Sequence, residues 1–382
     1  MKNKQEILRK EIDDVLSIFS NNSFQEALDS IEAIKEEYPN EAILFNIQGA
    51  CYAGLGHINK AIENYKKAIA LNSGYSKAHF NLAGALHEID QFDTSIKSYK
   101  DALIIEPDYA EAHNNLGNVY REVMKVDEAI MSYQKAISIK PDYIEAHYSL
   151  GSLFHECGKL EEAVTSFREV LQIRPNFTGM HNNLGNIYKE LKDFDSAIKS
   201  YLKAINIKPD YAEAYNNIGM LYGELGRLDQ AIISYERAVN IMPNYAEAHN
   251  NLGILLMEDG QFDLAEQSYR KAIDADNNFI EAHNNLGLVF LHLGQLDKSI
   301  YYYQKAIKID PNYVLALNNL GIVYKNLNNF DEAVKCFDRA IIINPNYFDA
   351  FSNYGNLLRD FRIFDEALSN YKRAYELNPT SD

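Results

Sequence analysis

Ala110-Glu111-Ala112-His113-Asn114-Asn115-Leu116-Gly117-Asn118-Val119-Tyr120, followed a few residues later by Ala129-Ile130-Met131-Ser132-Tyr133-Gln134-Lys135-Ala136-Ile137, decides the fold. Ala112, Leu116, Gly117 and Tyr120 fall on one face of a helix, and Ala129, Ile130, Tyr133, Ala136 and Ile137 on one face of a second. Two helices this short cannot bury both of their faces against each other, so the pair needs neighbours of its own kind. The chain supplies them. A glycine recurs at Gly49, Gly117, Gly151, Gly185, Gly219, Gly253, Gly287, Gly321 and Gly355, always 34 residues or a multiple apart, and Ala83 fills the single gap. Twelve residues after each stands Ala or Ser (Ala129, with Ser95 and Ser299 as the exceptions), and four further on an aromatic such as Tyr133. Prolines close most units, among them Pro107, Pro141, Pro175, Pro209 and Pro243.

With the frame set just after the aromatic that follows the proline, ten units run from 42–75 to 348–381, and a degenerate one, 8–41, keeps only Ala27 and Pro39 of the pattern. This predicts an N-terminal helical segment with a capping repeat over 1–41 and one continuous solenoid over 42–381. Asp13, Asp14, Asn21 and Asn22 replace packing residues in the first unit, as a water-facing cap would require. Asp108 with Glu111 reads as a capping box for the first helix, repeated at Asp142/Glu145, Asp210/Glu213, Asn244/Glu247 and Asn278/Glu281, and Asp127 and its counterparts read as N-caps of the second. Gly117 and Ala129 are small because two helix backbones approach there, with Tyr133 filling the space. Three recurrent positions hold twenty of the 27 tyrosines, which makes them packing residues.

The Leu116-Gly117…Tyr120…Ala129…Tyr133…Ala136…Pro141 pattern resembles the tetratricopeptide repeat, over roughly residues 8–381. Units such as Ala110 to Asn118 are similar to the superhelical repeat region of the O-linked N-acetylglucosamine transferases. The resemblance implies an all-α, right-handed superhelical solenoid whose first helices line a concave groove, with binding of peptides or partner subunits as the usual activity.

Along the first helices an asparagine recurs: Asn81, Asn115, Asn183, Asn217, Asn251, Asn285, Asn319 and Asn353, interrupted by Ile47 and Ser149. Stacked units would make these a ladder, with rungs roughly 10 Å apart. An amide both donates and accepts, which suits it to the backbone of an extended peptide of any sequence. The transferase-like superhelices carry such a ladder on their inner surface, so the resemblance implies the same. The structural alternative is that the amides bond to the next unit. A second stripe, three residues on, includes Asn118 and Asn186 and turns apolar from Met220 through Ile254 and Leu288 to Ile322, which suggests a peptide with a polar and an apolar half. A third is acidic: Glu88, Glu122, Glu156, Glu190, Glu224 and Glu258. It predicts a preference for ligands bearing Lys or Arg, against the alternative of a solvated face with cations such as Arg121 and Lys189 alongside.

Net charge is −17, which opposes nucleic acid and an anionic membrane surface as partners. Cys51, Cys157 and Cys336 are far apart and form no CxxC pair, so neither a disulfide framework nor a zinc site is expected. Charges interrupt the N-terminus before any apolar run builds, so no signal peptide or membrane span is read there, and the expected compartment is cytoplasmic. The recurrent His79, His113, His147, His181, His249 and His283 come once per unit, too far apart to share a metal ion, and are read as packing. No phosphate loop, nucleophile elbow or HExxH motif appears, so neither catalytic residues nor a cofactor are expected. The function these features predict is a scaffold or adaptor. Its rivals are the targeting arm of a glycosyltransferase-like enzyme whose catalytic part is elsewhere, and a self-assembling scaffold. Helix 365–378 carries Ala367, Leu368, Tyr371 and Tyr375 with no polar cap after it, which points to a homo-oligomer or a downstream domain.

Overall fold

A computed structural model describes residues 2–379, and side-chain surroundings for residues 6–379. These residues contain helices and turns, with no strand among them. They fall into two compact units, one up to Met180 and one from His181.

The first unit holds α1 (Lys2–Ser20), α2 (Phe24–Glu37), α3 (Ala42–Gly54), α4 (Ile58–Leu71), α5 (Ser76–Glu88), α6 (Phe92–Ile105), α7 (Ala110–Glu122), α8 (Val126–Ile139), α9 (Ile144–Glu156) and α10 (Leu160–Ile173). The division falls inside α11 (Thr178–Glu190). The second unit continues with α12 (Phe194–Ile207), α13 (Ala212–Glu224), α14 (Leu228–Ile241), α15 (Ala246–Glu258), α16 (Phe262–Ala275), α17 (Ile280–His292) and α18 (Leu296–Ile309). It ends with α19 (Val314–Asn326), α20 (Phe330–Ile343), α21 (Phe348–Asp360) and α22 (Phe364–Leu377). From α3 onward, every first helix begins at the first residue of its 34-residue frame. Within each unit, consecutive pairs pack as in a tetratricopeptide solenoid, second helix of one pair against first helix of the next.

One turn joins the two helices of every pair, and it repeats with the same period. Its middle residue is left-handed at Asn22, Gly56, Asp90, Met124, Gly158, Lys192, Gly226, Gly260, Gly294, Asn328 and Arg362. In the pair α7–α8, Lys125 N donates to Tyr120 O at 2.8 Å and Met124 N to Arg121 O at 3.0 Å. This is a Schellman closure, which requires a left-handed residue at Met124. Glycine meets that requirement without strain, and the five glycines in the series are its cheapest solutions.

The recurrent glycines inside the first helices answer a different need. A Cβ built on Gly117 would lie 2.6 Å from the Tyr133 ring, and one on Gly185 would lie 2.4 Å from the Tyr201 ring. Each ring is fully buried directly over its glycine. Where Ala83 replaces the glycine, the next residue is Gly84, and the Tyr99 hydroxyl lies 3.6 Å from a Cβ built there. The small residue of the second helix also closes on this point: Ser95 Oγ and Ser299 Oγ donate to the carbonyls of Ala83 and Gly287 at 2.8 Å. The core expected from the sequence is in place. Ala112, Leu116, Tyr120, Ala129, Tyr133 and Ala136 are buried, with Ile130 and Ile137 half-buried against them. In the first pair, Leu8, Ile12 and Val15 of α1 pack on Ala27, Leu28, Ile31 and Leu44, while Asp13, Asp14, Asn21 and Asn22 are exposed.

The helix starts differ from the capping-box expectation. Tyr109 is the N-cap of α7 and makes no side-chain cap bond, so Asp108 lies in the turn rather than over the free amides. Tyr143, Tyr211, Tyr245 and Phe279 take the same place in other units. The proline turn sets the helix start one residue later than an Asp cap would need. Nor does Asp127 cap α8. Lys125 holds the cap position, and Asp127 sits within the first turn, where the positive end of the helix dipole favours a carboxylate. Side-chain caps are made by Asp193, to Ser196 N, and by Asn329, to Glu332 N.

Candidate functional site

The asparagine series lies where neighbouring first helices touch, and its amides link one pair to the next. In the first unit, Asn81 Nδ2 donates to Asn46 Oδ1 at 2.9 Å. In the second, Asn217 donates to Asn182 at 3.0 Å, Asn251 to Asn216 at 3.3 Å, Asn285 to Asn250 at 3.1 Å, Asn319 to Asn284 at 3.1 Å and Asn353 to Asn318 at 3.0 Å. The acceptors are the buried asparagines that precede the ladder positions, one unit earlier. Two of these return a bond within their own unit, Asn284 to Asn285 at 3.2 Å and Asn318 to Asn319 at 3.4 Å, and Asn114, which accepts no such bond, donates to Asn115 at 3.3 Å. From Asn353 back to Asn250, the donors therefore form one directed chain of amides. The ladder residues themselves, Asn81, Asn115 and Asn183 included, are half-buried. An amide has two N–H groups and a two-lone-pair oxygen, so a single inter-unit bond leaves capacity at the surface.

Asn118 and Asn186 have a task inside their own pairs. Asn118 Oδ1 accepts from the Tyr133 hydroxyl at 2.8 Å and Asn186 Oδ1 from the Tyr201 hydroxyl at 2.7 Å, as Asn356 does from Tyr371 at 2.9 Å. Burial pushes the Tyr133 pKa up to about 12, and the Arg121 charge beside it pulls the other way.

The acidic row, Glu88, Glu122, Glu156, Glu190, Glu224 and Glu258, is exposed throughout. Glu122, Glu156 and Glu224 each meet a cationic or imidazole side chain of the preceding pair. His87 Nε2 lies 2.9 Å from Glu122, Arg121 holds Glu156 in a two-point contact with Nε at 2.9 Å, and Lys189 Nζ lies 2.7 Å from Glu224. Asp360 continues the pattern with Lys325 at 3.5 Å. These exposed pairs are screened by solvent and each contributes little, roughly 0–1 kcal/mol. Their offset of 35 residues equals that of the amide bonds, so both rows join neighbouring first helices one residue out of register with the repeat. That offset was the available signal for Asn46, which the ladder reading passed over because its own unit carries Ile47.

The histidines do more than fill space. Nε2 of His113, His147 and His249 lies 2.9 Å from the carbonyls of Pro107, Pro141 and Pro243, and His79 and His283 make the same contact, at 3.1 Å, with Ser73 and Asn277. A carbonyl only accepts, so Nε2 carries the proton and ties the inter-pair turn to the helix that follows it. Nδ1 of His249 and His283 is buried without a hydrogen-bond partner. Burial lowers the pKa of His113 and His249 from the ordinary 6.5. Among the described residues, no three His, Cys, Asp or Glu side chains gather to hold a metal ion. The cysteines are free thiols, and burial pushes Cys51 up to about 11 and Cys336 to about 12. No helix is long and apolar enough to cross a membrane among the described residues.

Comparisons with known proteins agree with this architecture. Family models described as TPR repeat match 85–123, 125–156, 151–192 and 185–226, and models described as tetratricopeptide repeat match 44–75, 210–278, 280–313 and 314–347. A search of curated proteins returned no match. Among solved structures, the C-terminal part of a TPR repeat-containing protein from Cytophaga hutchinsonii aligns with TM-score 0.56 and 19% identity, over 62% of this chain and 98% of that one. The APC/C hetero-tetramer Cut9-Hcn1 gives TM-score 0.50 and 13% identity over 96% of this chain and 93% of that one. MamA is 28% identical over 42% of this chain and 95% of its own, with TM-score 0.39. Repeat models matched along most of the sequence, on helix pairs that keep one period throughout, place the chain in the tetratricopeptide-repeat family.

Proposed function

We propose that the chain is a protein-interaction scaffold, holding extended segments of partner proteins or partner subunits along the surface made by its first helices. The observation that carries this reading is the row of half-buried ladder amides, Asn217 through Asn353, whose single bonds between units leave donor and acceptor capacity at the surface. A peptide backbone presents an N–H and a C=O at almost every residue, so a regular row of amides can grip it whatever its side chains. The likeness to transferase superhelices belongs to the same proposal, with any catalysis placed outside these repeats. Ion pairing narrows the expected preference for Lys and Arg. Ala53 and Gly223 stand where His87, Arg121 and Lys189 stand in other pairs, so Glu88 and Glu258 are the acids best able to meet a basic ligand.

The test compares the parent chain with Asn183→Ala/Asn217→Ala/Asn251→Ala/Asn285→Ala, both immobilised and exposed to host lysate. Because the substitutions remove inter-unit bonds, helicity and thermal midpoint are measured first. Proteins retained by the parent and lost from a folded variant support the reading. Identical retention by both makes the ladder structural and moves binding elsewhere.

A second reading, self-association, rests on α22, where Phe364, Leu368 and Tyr375 are 63%, 53% and 64% exposed. In other pairs, the residues equivalent to Leu368 and Tyr375 include Val334 and Ile341, which are half-buried against the next pair.

A further inference from the structure

Four consecutive pairs in the second unit place an apolar side chain three residues after the ladder asparagine: Met220, Ile254, Leu288 and Ile322. This is the position from which Asn118, Asn186 and Asn356 accept the hydrogen bond of their own pair's tyrosine. In one of the four pairs, α17–α18, the acceptor is missed. Tyr303, opposite Leu288, is fully buried and its hydroxyl makes no hydrogen bond of normal geometry. The polar side chain beside it is Ser299, whose hydroxyl donates to the Gly287 carbonyl at 2.8 Å and whose oxygen is the nearest acceptor for Tyr303. A buried polar group left unpaired is a net loss of stability. Opposite Ile322, Phe337 has dispensed with the hydroxyl altogether. Met220, Leu288 and Ile322 are half-buried and Ile254 is exposed, so all four present apolar surface, although Ile322 also packs beside Phe337 and Leu357 and Met220 Sδ accepts from Asn216 Nδ2 at 3.8 Å. The four form one apolar stripe on the face that carries the amide ladder, with surface left to meet a ligand.

Spacing and charge say what they would meet. The bonds Asn251 to Asn216, Asn285 to Asn250 and Asn319 to Asn284 keep successive first helices in contact, so the stripe repeats at one helix-to-helix distance, roughly 8–10 Å. A β-strand returns a side chain to the same face every second residue, about 6.7 Å. A polyproline II segment returns one every third residue, about 9.3 Å, which matches the stripe. Helices α13, α15 and α17 carry Glu213, Glu224, Glu247, Glu258 and Glu281 and no Lys or Arg, while α19 carries Lys325, which is paired with Asp360. Glu224 is met by Lys189, and Glu213 accepts from the Tyr211 hydroxyl at 3.2 Å, while Glu247, Glu258 and Glu281 are exposed.

Resting on the reading that this surface holds peptides, we propose that α13, α15, α17 and α19 bind a basic segment in polyproline II conformation that carries a large apolar residue at every third position. One apolar residue sits on each of Met220, Ile254, Leu288 and Ile322. The ladder amides take the backbone between them, and the flanking glutamates take the lysines or arginines.

The probe is a fluorescein-labelled peptide of four Leu-Pro-Lys triplets, titrated with the full chain and followed by anisotropy. Beside it run an isomer of the same composition with leucine at every second position, and a version with Glu in place of Lys. The triplet peptide is expected to bind at least roughly tenfold tighter than either. Leu288→Asn installs the side chain that the other pairs use, so it should raise the thermal midpoint by giving Tyr303 an acceptor, and still weaken the triplet peptide several-fold. Equal binding of triplet and isomer overturns the register and leaves the peptide-holding surface intact. Triplet affinity unchanged in Leu288→Asn overturns the stripe as the site. No binding of any probe overturns the proposal, and the ladder-variant comparison then decides the wider reading by itself.

Discussion

Substituting alanine for one glycine at a time tests whether the close approach of ring and backbone is what fixes the repeat. At Gly185 a Cβ would meet Tyr201 Cε1 at 2.4 Å, Cδ1 at 2.5 Å and Cζ at 2.8 Å. Ordinary carbon contact begins near 3.5 Å, so the ring would have to withdraw by about 1 Å. It has no free path: Tyr201 is fully buried and its hydroxyl is tied to Asn186 at 2.7 Å. Overpacking of this kind costs about 1–3 kcal/mol, and a lost hydrogen bond about 1 kcal/mol more. The gain in helix propensity returns about 1 kcal/mol, leaving Gly185→Ala destabilised by roughly 1–3 kcal/mol. Gly223 supplies the control, because its Cβ would meet nothing nearer than Leu255 at 3.9 Å, and Gly223→Ala is expected to stabilise by about 0.5–1 kcal/mol. Gly219, with Tyr235 at 3.0 Å, should fall between them. Native-state hydrogen exchange, read on peptides from α11 to α14, is the suitable assay, since stability in a repeat array is local and a single global midpoint can mask it. If Gly185→Ala raises protection as Gly223→Ala does, the ring does not set the distance between the helices and the packing argument fails.

Met124 adopts φ 58° with its side chain 80% exposed, so Met124→Gly should remove about 1–2 kcal/mol of left-handed strain against about 0.5–1 kcal/mol of added chain entropy. A net gain of about 0.5–1 kcal/mol in thermal or urea stability is expected, and a loss would show that the side chain packs usefully. His113 and His249, held neutral by burial, make the unfolded chain the better proton binder below their ordinary 6.5. Their contribution to stability is therefore present above pH 6.5 and is lost as the pH falls. The thermal midpoint should drop between pH 7.5 and pH 5.5, and less so in His249→Tyr, which copies Tyr215; equal drops would place the acid sensitivity elsewhere. Leu368→Glu/Tyr375→Glu should abolish concentration-dependent association in sedimentation velocity, and a parent that is monomeric at every concentration would remove the self-association reading. Tyr303→Phe deletes a buried hydroxyl that has no partner, and should stabilise by up to about 1 kcal/mol by urea titration; destabilisation would mean that the hydroxyl is bonded after all.

The repeat frame could be read directly from the spacing of Gly117, Ala129 and Tyr133, because those residues are held by contacts within one pair that recur unchanged. Helix caps could not. Asp108 followed by Glu111 has the composition of a capping box, yet the proline turn moves the helix start so that Tyr109 takes the cap position. Composition reports which residues could bond, and backbone geometry decides which do. The ladder was legible as a row of asparagines on one face, but not its partners, since Asn217 to Asn182 joins residues 35 apart and the sequence repeats at 34. That single-residue offset is a property of how one first helix leans on the next. The acidic row left two readings open, a preference for Lys or Arg and a solvated face with Arg121 and Lys189 alongside, and the pairing of Lys189 with Glu224 emerges only when the helices that carry them are laid side by side.

Two rows on the first helices change character over the same stretch of the second unit. The cation-to-acid pairing present at Lys189–Glu224 lapses where Gly223 faces Glu258, Met257 faces His292 and Leu291 faces Asn326 by the same offset, and it resumes at Lys325–Asp360. The second stripe turns apolar at Met220 and returns to asparagine at Asn356, over the same pairs. Packing positions do not follow: Gly219, Gly253, Gly287 and Gly321 all keep their aromatic partners over them. Relaxed constraint on a surface would scatter substitutions among both kinds of position and among polar and apolar types. Here the buried positions hold, while one exposed row loses its ion pairs and its neighbour gains aliphatic side chains at the expense of a tyrosine's hydrogen bond. That combination is expected of a surface specialised within an otherwise uniform array, because a ligand presses on what it touches and leaves the helix-to-helix contacts beneath it alone.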